Sequence, residues 1–395
     1  MKSKKWLISL GLAVILVVAF ALPACEPAEP LTYAEYVARC EEMDSYPVPE
    51  ECFDQAMEEG ELKIFNWAGW FDAVYAMWED ELGTWIPIQE DALTSADEQV
   101  AKFKLNPNLA YDITGVGPKA YMRLLPLDVM QEVNRDWLPN VEAFVYEEYI
   151  NATFSEEFPY TVPLNIIMGV IGYNKEYVDP EETCLDSWEI AFNAGCGNVT
   201  GGNYTGHVTM VDDMFDTIGS ALKYLGYSFN SVNETELDEA RDLLLAQKPL
   251  LLAYESTPRS LIDSGEAWIY HWWLGEVGKL AANDPDTYGI IFPKEGTVMG
   301  FEYMLLPIGA QNPAAAHLFF NFFQRPDVYL TFMESYPSGF VNWQAWENVD
   351  PSWVAANPWT ELDLGYIAVC EATLPESLTG EGLVLRTAIW EELKA

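Results

Sequence analysis

Basic residues are scarce in this chain of 395 residues. It has 20 lysines and arginines against 62 aspartates and glutamates, which gives a formal net charge of −42. A nucleic-acid-binding protein needs a basic surface to neutralise phosphates, so the charge balance argues against that class and no nucleic-acid partner is expected. The excess negative charge would attract cations, although we expect most of these carboxylates to lie on a solvated surface.

Recognisable catalytic and metal-binding motifs are also missing. The only histidines are His207, His271 and His317, and there is no CxxC, HExxH or clustered His/Cys array. We therefore expect neither a transition-metal site nor a cofactor. The chain has no G-x-S-x-G, no P-loop and no complete G-x-G-x-x-G motif. Carboxylates are numerous enough to leave an acid-pair hydrolase open as a remote alternative, but nothing singles out such a pair, and we predict that the protein is not an enzyme.

A long apolar run occurs once, from Trp6 to Leu22, after three lysines near the start. This order, closing on Pro23-Ala24-Cys25, is typical of a bacterial lipoprotein signal. It predicts that residues 1–24 are removed and that Cys25 carries lipid. The rest of the chain would then stand outside the cytoplasmic membrane, in the periplasm or on the cell surface. An uncleaved membrane anchor is the alternative, since the run nearly reaches the roughly 20 residues that span a bilayer.

The remaining five cysteines suit an exported protein, because disulfides persist in oxidising compartments. Cys40 and Cys52 are close in sequence, and so are Cys184 and Cys196. These spacings predict two short-range disulfides. Cys370 is left over, and we expect it to be buried.

The residues after the signal, about 370 in number, are too many for one small core, so two lobes are predicted. Residues 25–60 are acidic and rich in proline. They predict a tether followed by a small helical hairpin, around Tyr33–Glu42 and Glu51–Glu59, with the folded body beginning at Glu61. The predicted domain bounds are 61–163 for lobe 1, with 300–345 returning to it, and 164–299 for lobe 2, with 346–395 packing back on it.

Strand and helix patterns alternate through the body. Leu62–Trp67 predicts a first strand, Asp72–Leu82 a helix, and Pro163–Tyr173 a longer strand that crosses between the lobes. Such alternation indicates α/β layers around mostly parallel sheets. In open sheets of this kind ligands collect beyond the carboxyl ends of the strands. Four residues lie at or just past such predicted ends: Trp67, Gly117, Asp213 and Trp273.

Aromatic residues and acids recur at these strand ends. Trp67 and Trp70 place two indoles in one loop, and Asp213 and Asp216 lie three residues apart at a helix start, where both can face one side. Ring faces and carboxylates together suit an organic amine, which gains about 0.5–2 kcal/mol per ring face and charge-assisted hydrogen bonds to the acids. Helix capping by the aspartates and burial of the tryptophans in the core are the alternatives.

From Glu61 to about Trp353 the chain resembles the periplasmic spermidine/putrescine-binding proteins of ABC transporters. The order and spacing match along this length, most specifically in Phe65-Asn66-Trp67, Tyr111-Asp112-Ile113, Asp212-Asp213 before a helix ending at Leu225-Gly226-Tyr227, Phe292-Pro293-Lys294-Glu295-Gly296, Arg325-Pro326-Asp327-Val328 and Tyr336-Pro337. The resemblance implies an α/β, two-lobed periplasmic-binding-protein fold of type II. Crossing strands would join the lobes, with the ligand cleft between them.

The resemblance also implies a ligand-binding site made of Trp67, Trp70, Asp213, Asp216, Trp273, Glu302 and Tyr336. Three positions depart from the family pattern. Gly117 stands where the family has a serine, Lys119 falls near the place of a cleft aromatic, and Gly300 replaces a cleft tryptophan. A lysine in the cleft would repel a polyamine by ~1–4 kcal/mol at about 4 Å. It could instead pair with Glu302, point outward or receive a ligand carboxylate, and Tyr121 could supply the missing ring.

The implied function is that of the extracellular solute-binding component of an ABC importer. It would capture a polyamine such as putrescine or spermidine between its lobes, and a permease with its ATPase would recognise the closed form. An amino acid, a betaine or another cationic solute is the alternative that Lys119 and Gly300 raise. We expect a monomer held to the membrane by its lipid.

Overall fold

The computed structural model describes residues 29–153, 159–179, 184–194 and 204–395. The predicted signal with Cys25 lies outside these residues, and so does Cys196. Within the described ranges, no helix has the length and apolar character needed to cross a membrane. Residues Leu31–Ala395 form one compact unit.

The described residues contain nine strands, which in chain order are β1 (Leu62–Trp67), β2 (Ile88–Leu93), β3 (Ile113–Val116), β4 (Thr161–Asn174), β5 (Val208–Met210), β6 (Leu251–Tyr254), β7 (Ile269–Trp273), β8 (Tyr288–Ile291) and β9 (Met299–Leu305). Their order across the sheet is β2-β1-β3-β9-β4-β7-β5-β6, and β8 also pairs with β4. We call the half with β1, β2, β3 and β9 lobe 1, and the half with β5 to β8 lobe 2.

The sheet is parallel only in its outer parts. β1 runs parallel to β2 and β3, and β5 runs parallel to β6 and β7. In the middle, β9 is antiparallel to both β3 and β4, and β4 is antiparallel to β7 and β8. The prediction of mostly parallel sheets therefore misses the centre, where the chain passes between the lobes.

Strand β4 joins the lobes. Its first part, from Thr161 to Met168, pairs with β9, and its last part, from Gly169 onward, pairs with β7 and β8. Fourteen residues at about 3.3 Å each are long enough to run through both halves. This is the crossing strand that the apolar run Pro163–Tyr173 predicts. The chain returns to lobe 1 from β8 to β9.

Helices cover the sheet on both lobes. They are α1 (Tyr33–Glu42), α2 (Glu50–Glu59), α3 (Asp72–Glu81), α4 (Ala96–Leu105), α5 (Pro118–Leu124), α6 (Pro139–Phe144), α7 (Glu147–Thr153), α8 (Glu189–Phe192), α9 (Met214–Tyr224), α10 (Glu234–Gln247), α11 (Arg259–Asp263), α12 (Leu274–Asn283), α13 (Pro313–Phe323), α14 (Pro326–Ser335), α15 (Trp343–Asn348), α16 (Pro351–Ala356), α17 (Leu364–Ile367), α18 (Pro375–Leu378) and α19 (Gly380–Lys394). Short 3₁₀ turns occur at Leu125–Leu127, Arg135–Trp137, Lys248–Leu250 and Pro358–Thr360.

The predicted N-terminal hairpin exists, but it belongs to the folded body. Phe53 of α2 is buried in the core of lobe 1, where its ring stacks on Tyr36 of α1 at 4.9 Å between centroids. α2 also packs against α13. The predicted start of the folded body at Glu61 is therefore wrong, because the apolar faces of α1 and α2 complete the core of lobe 1.

The predicted disulfide between Cys40 and Cys52 is also wrong, since both are free thiols. The Cys52 side chain turns toward α13, where its Sγ donates to the Ala314 carbonyl at 3.7 Å. Burial raises the pKa of both thiols, so they behave as small apolar core residues. Cys184 is disulfide-bonded, and its predicted partner lies outside the described residues. Cys370 is free and only partly buried.

The C-terminal segment is shared between the two cores. Trp346 and Trp353 pack around Phe340 at the core of lobe 1. Helix α19 instead lies against α9 and α10 of lobe 2, where Ile389 and Leu393 are buried. Residues 346–395 therefore do not pack on lobe 2 alone.

Candidate ligand-binding cleft

The first group of predicted site residues meets where α9 begins. Asp213 is the N-cap of α9, and its Oδ1 accepts hydrogen bonds from the backbone N–H of Phe215 at 2.9 Å and of Asp216 at 3.1 Å. The capping alternative is thus correct for this oxygen. The second oxygen, Oδ2, takes no part in this cap. Asp216 is fully buried one turn below.

Lys119 supplies a cation from the other lobe. It stands in the first turn of α5 in lobe 1, and its Nζ donates to Oδ2 of Asp213 at 2.7 Å and to Oδ2 of Asp216. The same ammonium lies 5.1 Å from the ring centroid of Trp273, at the end of β7. None of the alternatives considered for Lys119 foresaw this partner. We call these four residues the Lys119 cluster.

The charges of the Lys119 cluster are strongly coupled. The pKa of Asp216 is raised to about 7, because burial and the neighbouring Asp213 carboxylate outweigh the lowering effect of Lys119. For Asp213, burial is outweighed by the Lys119 ammonium and the capping N–H groups, which hold its pKa below the usual value. The pKa of Lys119 is raised, because its two carboxylates outweigh its own burial. The lysine is therefore fully charged at neutral pH.

A second group surrounds Glu302 on β9. Its side chain is 5% exposed, and among the described residues its Oε2 has no hydrogen-bond partner. The pKa of this carboxyl is raised to about 8, mainly by burial and also by the Glu276 carboxylate, which together outweigh the lowering effects of Asn165 and Lys279. Asn165 lies opposite on β4 in the sheet register. The ionised form of this buried carboxyl is costly without a cation, so an ammonium that reached Oε2 would stabilise it.

Tyr336 forms a wall of the same group. It is 5% exposed, and Glu302 and Glu276 both contribute, after burial, to raising its pKa. The Lys279 ammonium lies 4.7 Å from its ring centroid, and Trp70 meets it edge-on at 6.1 Å. Glu276 and Lys279 stand on α12 of lobe 2, so this group also contains residues from both lobes. We call Glu302, Tyr336, Trp70, Glu276 and Lys279 the Glu302 cluster.

Three predicted residues do not join either cluster through a direct contact. Trp67 ends β1 and is half-buried against the cores of lobe 1. Tyr121 is buried and packs on Tyr303 at 5.1 Å, so its ring serves the core of lobe 1. Gly117 is the N-cap of α5, two residues before Lys119, and a Cβ there would meet open space. Trp70 is also largely a core residue, stacked on Phe71 at 5.0 Å.

Sequence reasoning missed two buried basic residues behind the Lys119 cluster. Arg386 of α19 is fully buried, donates to the Phe229 carbonyl at 2.8 Å and contributes to lowering the pKa of Asp216. In the sequence, Arg386 could have been noticed as the one arginine within the apolar pattern of the last helix. His271 of β7 is kept neutral, because burial, with a contribution from Lys119, lowers its pKa to about 3. Glu276 and Lys279 were missed as well, since surface helices commonly carry such i,i+3 pairs.

The fold and the site together define a two-lobed α/β binding protein of the type II periplasmic class, with charged and aromatic groups from both lobes meeting between them. Residues 88–358 match the family of bacterial extracellular solute-binding proteins. This match spans more than half of the chain, and the chain belongs to that family, which is one of binding proteins and not of enzymes.

Individual relatives agree with this assignment. The chain is 25% identical over 276 residues to a putrescine/cadaverine-binding protein of Pseudomonas aeruginosa, covering 68% of this chain and 75% of the relative. It is 26% identical over 273 residues to the spermidine/putrescine-binding periplasmic protein of Escherichia coli, covering 68% and 73%.

Solved structures show the same fold. A spermidine/putrescine ABC transporter substrate-binding protein of Streptococcus pneumoniae superposes with a TM-score of 0.69 at 20% identity, over 85% of this chain and 98% of that one. A lipoprotein of Treponema pallidum gives a TM-score of 0.69 at 20% identity, over 84% and 99%.

Proposed function

We propose that this protein captures a small aliphatic amine of the polyamine class outside the cell and delivers it to an ABC importer. The observation that carries the proposal is the buried carboxyl group of Glu302, whose Oε2 has no partner among the described residues. An ammonium group is its natural complement, because it supplies both the charge and the N–H donors. The names of the two curated relatives, which bind putrescine with cadaverine or with spermidine, support the same class of solute.

Capture would work by closing the lobes on the ligand. Glu302 and Tyr336 come from lobe 1, whereas Glu276 and Lys279 come from α12 of lobe 2. A ligand that contacts both sets binds the closed form better than the open one, and this difference in affinity shifts the population toward closure. The closed form would then be the one that the permease and its ATPase recognise. No catalytic step is part of this proposal.

The cellular setting follows from the same role. An extracellular binding protein must stay near its permease, and a lipid on Cys25 would hold it at the outer face of the membrane. We propose a lipid-anchored monomer, with residues 1–24 removed as the signal. Globomycin sensitivity of processing, and mass spectrometry of the mature N-terminus, test this part directly.

One observation favours a second candidate, namely the same transport role for a solute with a single positive charge or a zwitterion. Lys119 already bonds to both aspartates of the Lys119 cluster. An ammonium of the protein itself therefore stands where a second ammonium of the ligand would be expected.

The test is calorimetric titration of the mature protein with putrescine, cadaverine, spermidine and N-acetylputrescine, beside Glu302→Gln and the control Glu334→Gln. Glu334 is an exposed acid near the end of α14, so its loss leaves the cleft intact. We expect at least one amine to bind, and Glu302→Gln to weaken it at least about tenfold, which is 1.4 kcal/mol. Equal affinities for the two variants, or no amine bound, would remove the proposal.

A further inference from the structure

The Lys119 cluster is a complete ion-binding arrangement that the chain fills by itself. Two carboxylate oxygens receive the Lys119 ammonium, one of them at 2.7 Å, and an indole ring lies 5.1 Å from it. These are the contacts that an organic ammonium makes in a protein site. The lysine side chain is 15% exposed and that of Asp216 is not exposed at all, so this pair is screened weakly by solvent.

Gly300 explains why Lys119 can reach this position. A Cβ built on Gly300 would lie 2.8 Å from Cγ and 3.2 Å from Cβ of Pro118. Both atoms belong to a rigid proline ring at the start of α5, so a larger residue would push the helix away from β9. Because position 300 has no side chain, α5 can lie close to β9. Lys119, which follows Pro118 on α5, then reaches the aspartates of lobe 2. The position of Lys119 in the cleft therefore depends on Gly300.

Strand β9 carries Glu302 and also contacts the helix of Lys119 through Gly300. Gly300 and Glu302 are two residues apart on β9, so they face the same side of the strand about 7 Å apart. Gly300 contacts Pro118, at the start of the helix that carries Lys119. Glu302 holds the carboxyl oxygen that has no partner among the described residues. A short ligand held by Glu302 would therefore extend toward the Lys119 cluster.

We propose that Lys119 is a built-in ammonium group that fills the acidic end of the cleft, so that the protein selects an aliphatic amine with one ammonium group and a neutral hydrogen-bond acceptor at its other end. The inference rests on the proposed function, because it assumes an amine held by Glu302. A second ammonium would meet the Lys119 charge and find both aspartates occupied.

A neutral acceptor fits the Lys119 cluster better than an anion. Two of the three N–H donors of Lys119 are used by Asp213 and Asp216, which leaves one for a ligand. Lys119 contributes one positive charge against two carboxyl groups, so the cluster offers no net positive charge to a ligand carboxylate. A mono-N-acylated diamine or an amino alcohol has the required chemistry.

Calorimetry on the mature protein separates these ligands. N-acetylputrescine, putrescine and γ-aminobutyrate have similar chain lengths and differ in the group at one end. We expect N-acetylputrescine to bind at least tenfold more tightly than either of the other two. Tighter binding of putrescine would overturn the assignment of Lys119 while leaving the proposed function in place. Tighter binding of γ-aminobutyrate would overturn the neutral-acceptor assignment. Failure of all three amines, and of spermidine, would overturn the proposed function itself.

Variants test the roles of Lys119 and Gly300 in ligand selection directly. Lys119→Met frees the acid pair, so the preference of N-acetylputrescine over putrescine should fall at least tenfold or reverse. Gly300→Ala should also reduce the preference for N-acetylputrescine over putrescine. The matched control is Lys102→Met, since Lys102 of lobe 1 also makes an ion pair and a ring contact, with Glu98 and Phe65.

The freed aspartates in Lys119→Met are buried, and the variant could lose stability. Lys119→Gln keeps a hydrogen-bond donor for Asp213. The ratio of its affinities for N-acetylputrescine and putrescine provides the second measurement. A ratio equal to that of the wild type in both folded Lys119 variants would overturn the inference.

Discussion

The buried carboxyl of Glu302 should make ligand affinity depend on pH. Its pKa is raised to about 8 from the ordinary value of 4.5, first by burial and then by the Glu276 carboxylate, while Asn165 and Lys279 oppose the rise. At neutral pH the empty protein therefore holds this carboxyl mostly protonated. A charge-assisted bond to an ammonium needs the ionised form, so binding must remove the proton, and affinity should increase as pH rises.

The size of the effect follows from the fraction that is ionised. With a pKa of about 8, this fraction is about 1% at pH 6, about 10% at pH 7 and about 50% at pH 8. Affinity should therefore rise roughly fifty-fold between pH 6 and pH 8, which is about 2.3 kcal/mol. An aliphatic amine with a pKa of about 10 stays charged across this range, so the ligand contributes little to the change.

Calorimetry at pH 6, 7 and 8 measures this directly, and repeating it in buffers of different ionisation enthalpy counts the protons released. About 0.9 proton should leave at pH 7, as the ~90% protonated carboxyl ionises on binding. Glu302→Gln should bind more weakly and lose most of the pH dependence, because the titrating group is gone. A wild-type affinity that changes less than twofold over this range would refute the reasoning.

The same group sets the sign of a stability effect in the empty protein. The pKa of Glu302 is higher in the folded protein than in the unfolded chain. Its contribution to the free energy of unfolding is therefore fully present below about pH 4.5 and is lost as pH rises through about 8. Glu302→Gln should therefore have a Tm close to that of the wild type at pH 5 and a higher one at pH 9. Equal Tm values at pH 9 would mean that the carboxylate is not buried in the free protein.

Two further predictions concern packing and thiols. A Cβ at position 275 would lie 2.2 Å from Cε1 of Tyr336, so Gly275→Ala should displace that ring and weaken amine binding at least about fivefold, or about 1 kcal/mol; unchanged affinity in titration would place Tyr336 outside the site. Cys40 and Cys52 are free and buried, so alkylation without reductant should label both only after denaturation; mass spectrometry showing neither labelled would mean that they are oxidised.

The order of strands and helices could be predicted from the sequence because each element carries its own pattern. β1 was predicted at Leu62–Trp67 and has those bounds. The crossing strand was visible as an apolar run, since it is buried along nearly its whole length. The antiparallel centre was not visible, because strand direction depends on how distant segments meet and leaves no mark on the alternation of side chains.

The partners of individual side chains were harder to predict for the same reason. The short spacing of Cys40 and Cys52 suggested a bond, but the packing of α2 on α13 turns Cys52 toward Ala314. Lys119 was recognised as unusual for a cation-binding cleft, yet its partners lie 94 and 97 residues away. Its position depends on a glycine still further along the chain.

The large negative charge of the chain explains less about binding than its few buried charges do. Most of the acidic side chains that the structure describes are exposed to solvent, where salt screens them beyond about 8 Å. They can speed the approach of a cation, but they cannot choose between a monoamine and a diamine. That choice requires charges in a dry setting, where one added ammonium changes the balance by whole kcal/mol. Lys119 against two aspartates and Glu302 without a cation are such charges, so selectivity should follow these groups and remain when surface acids are neutralised.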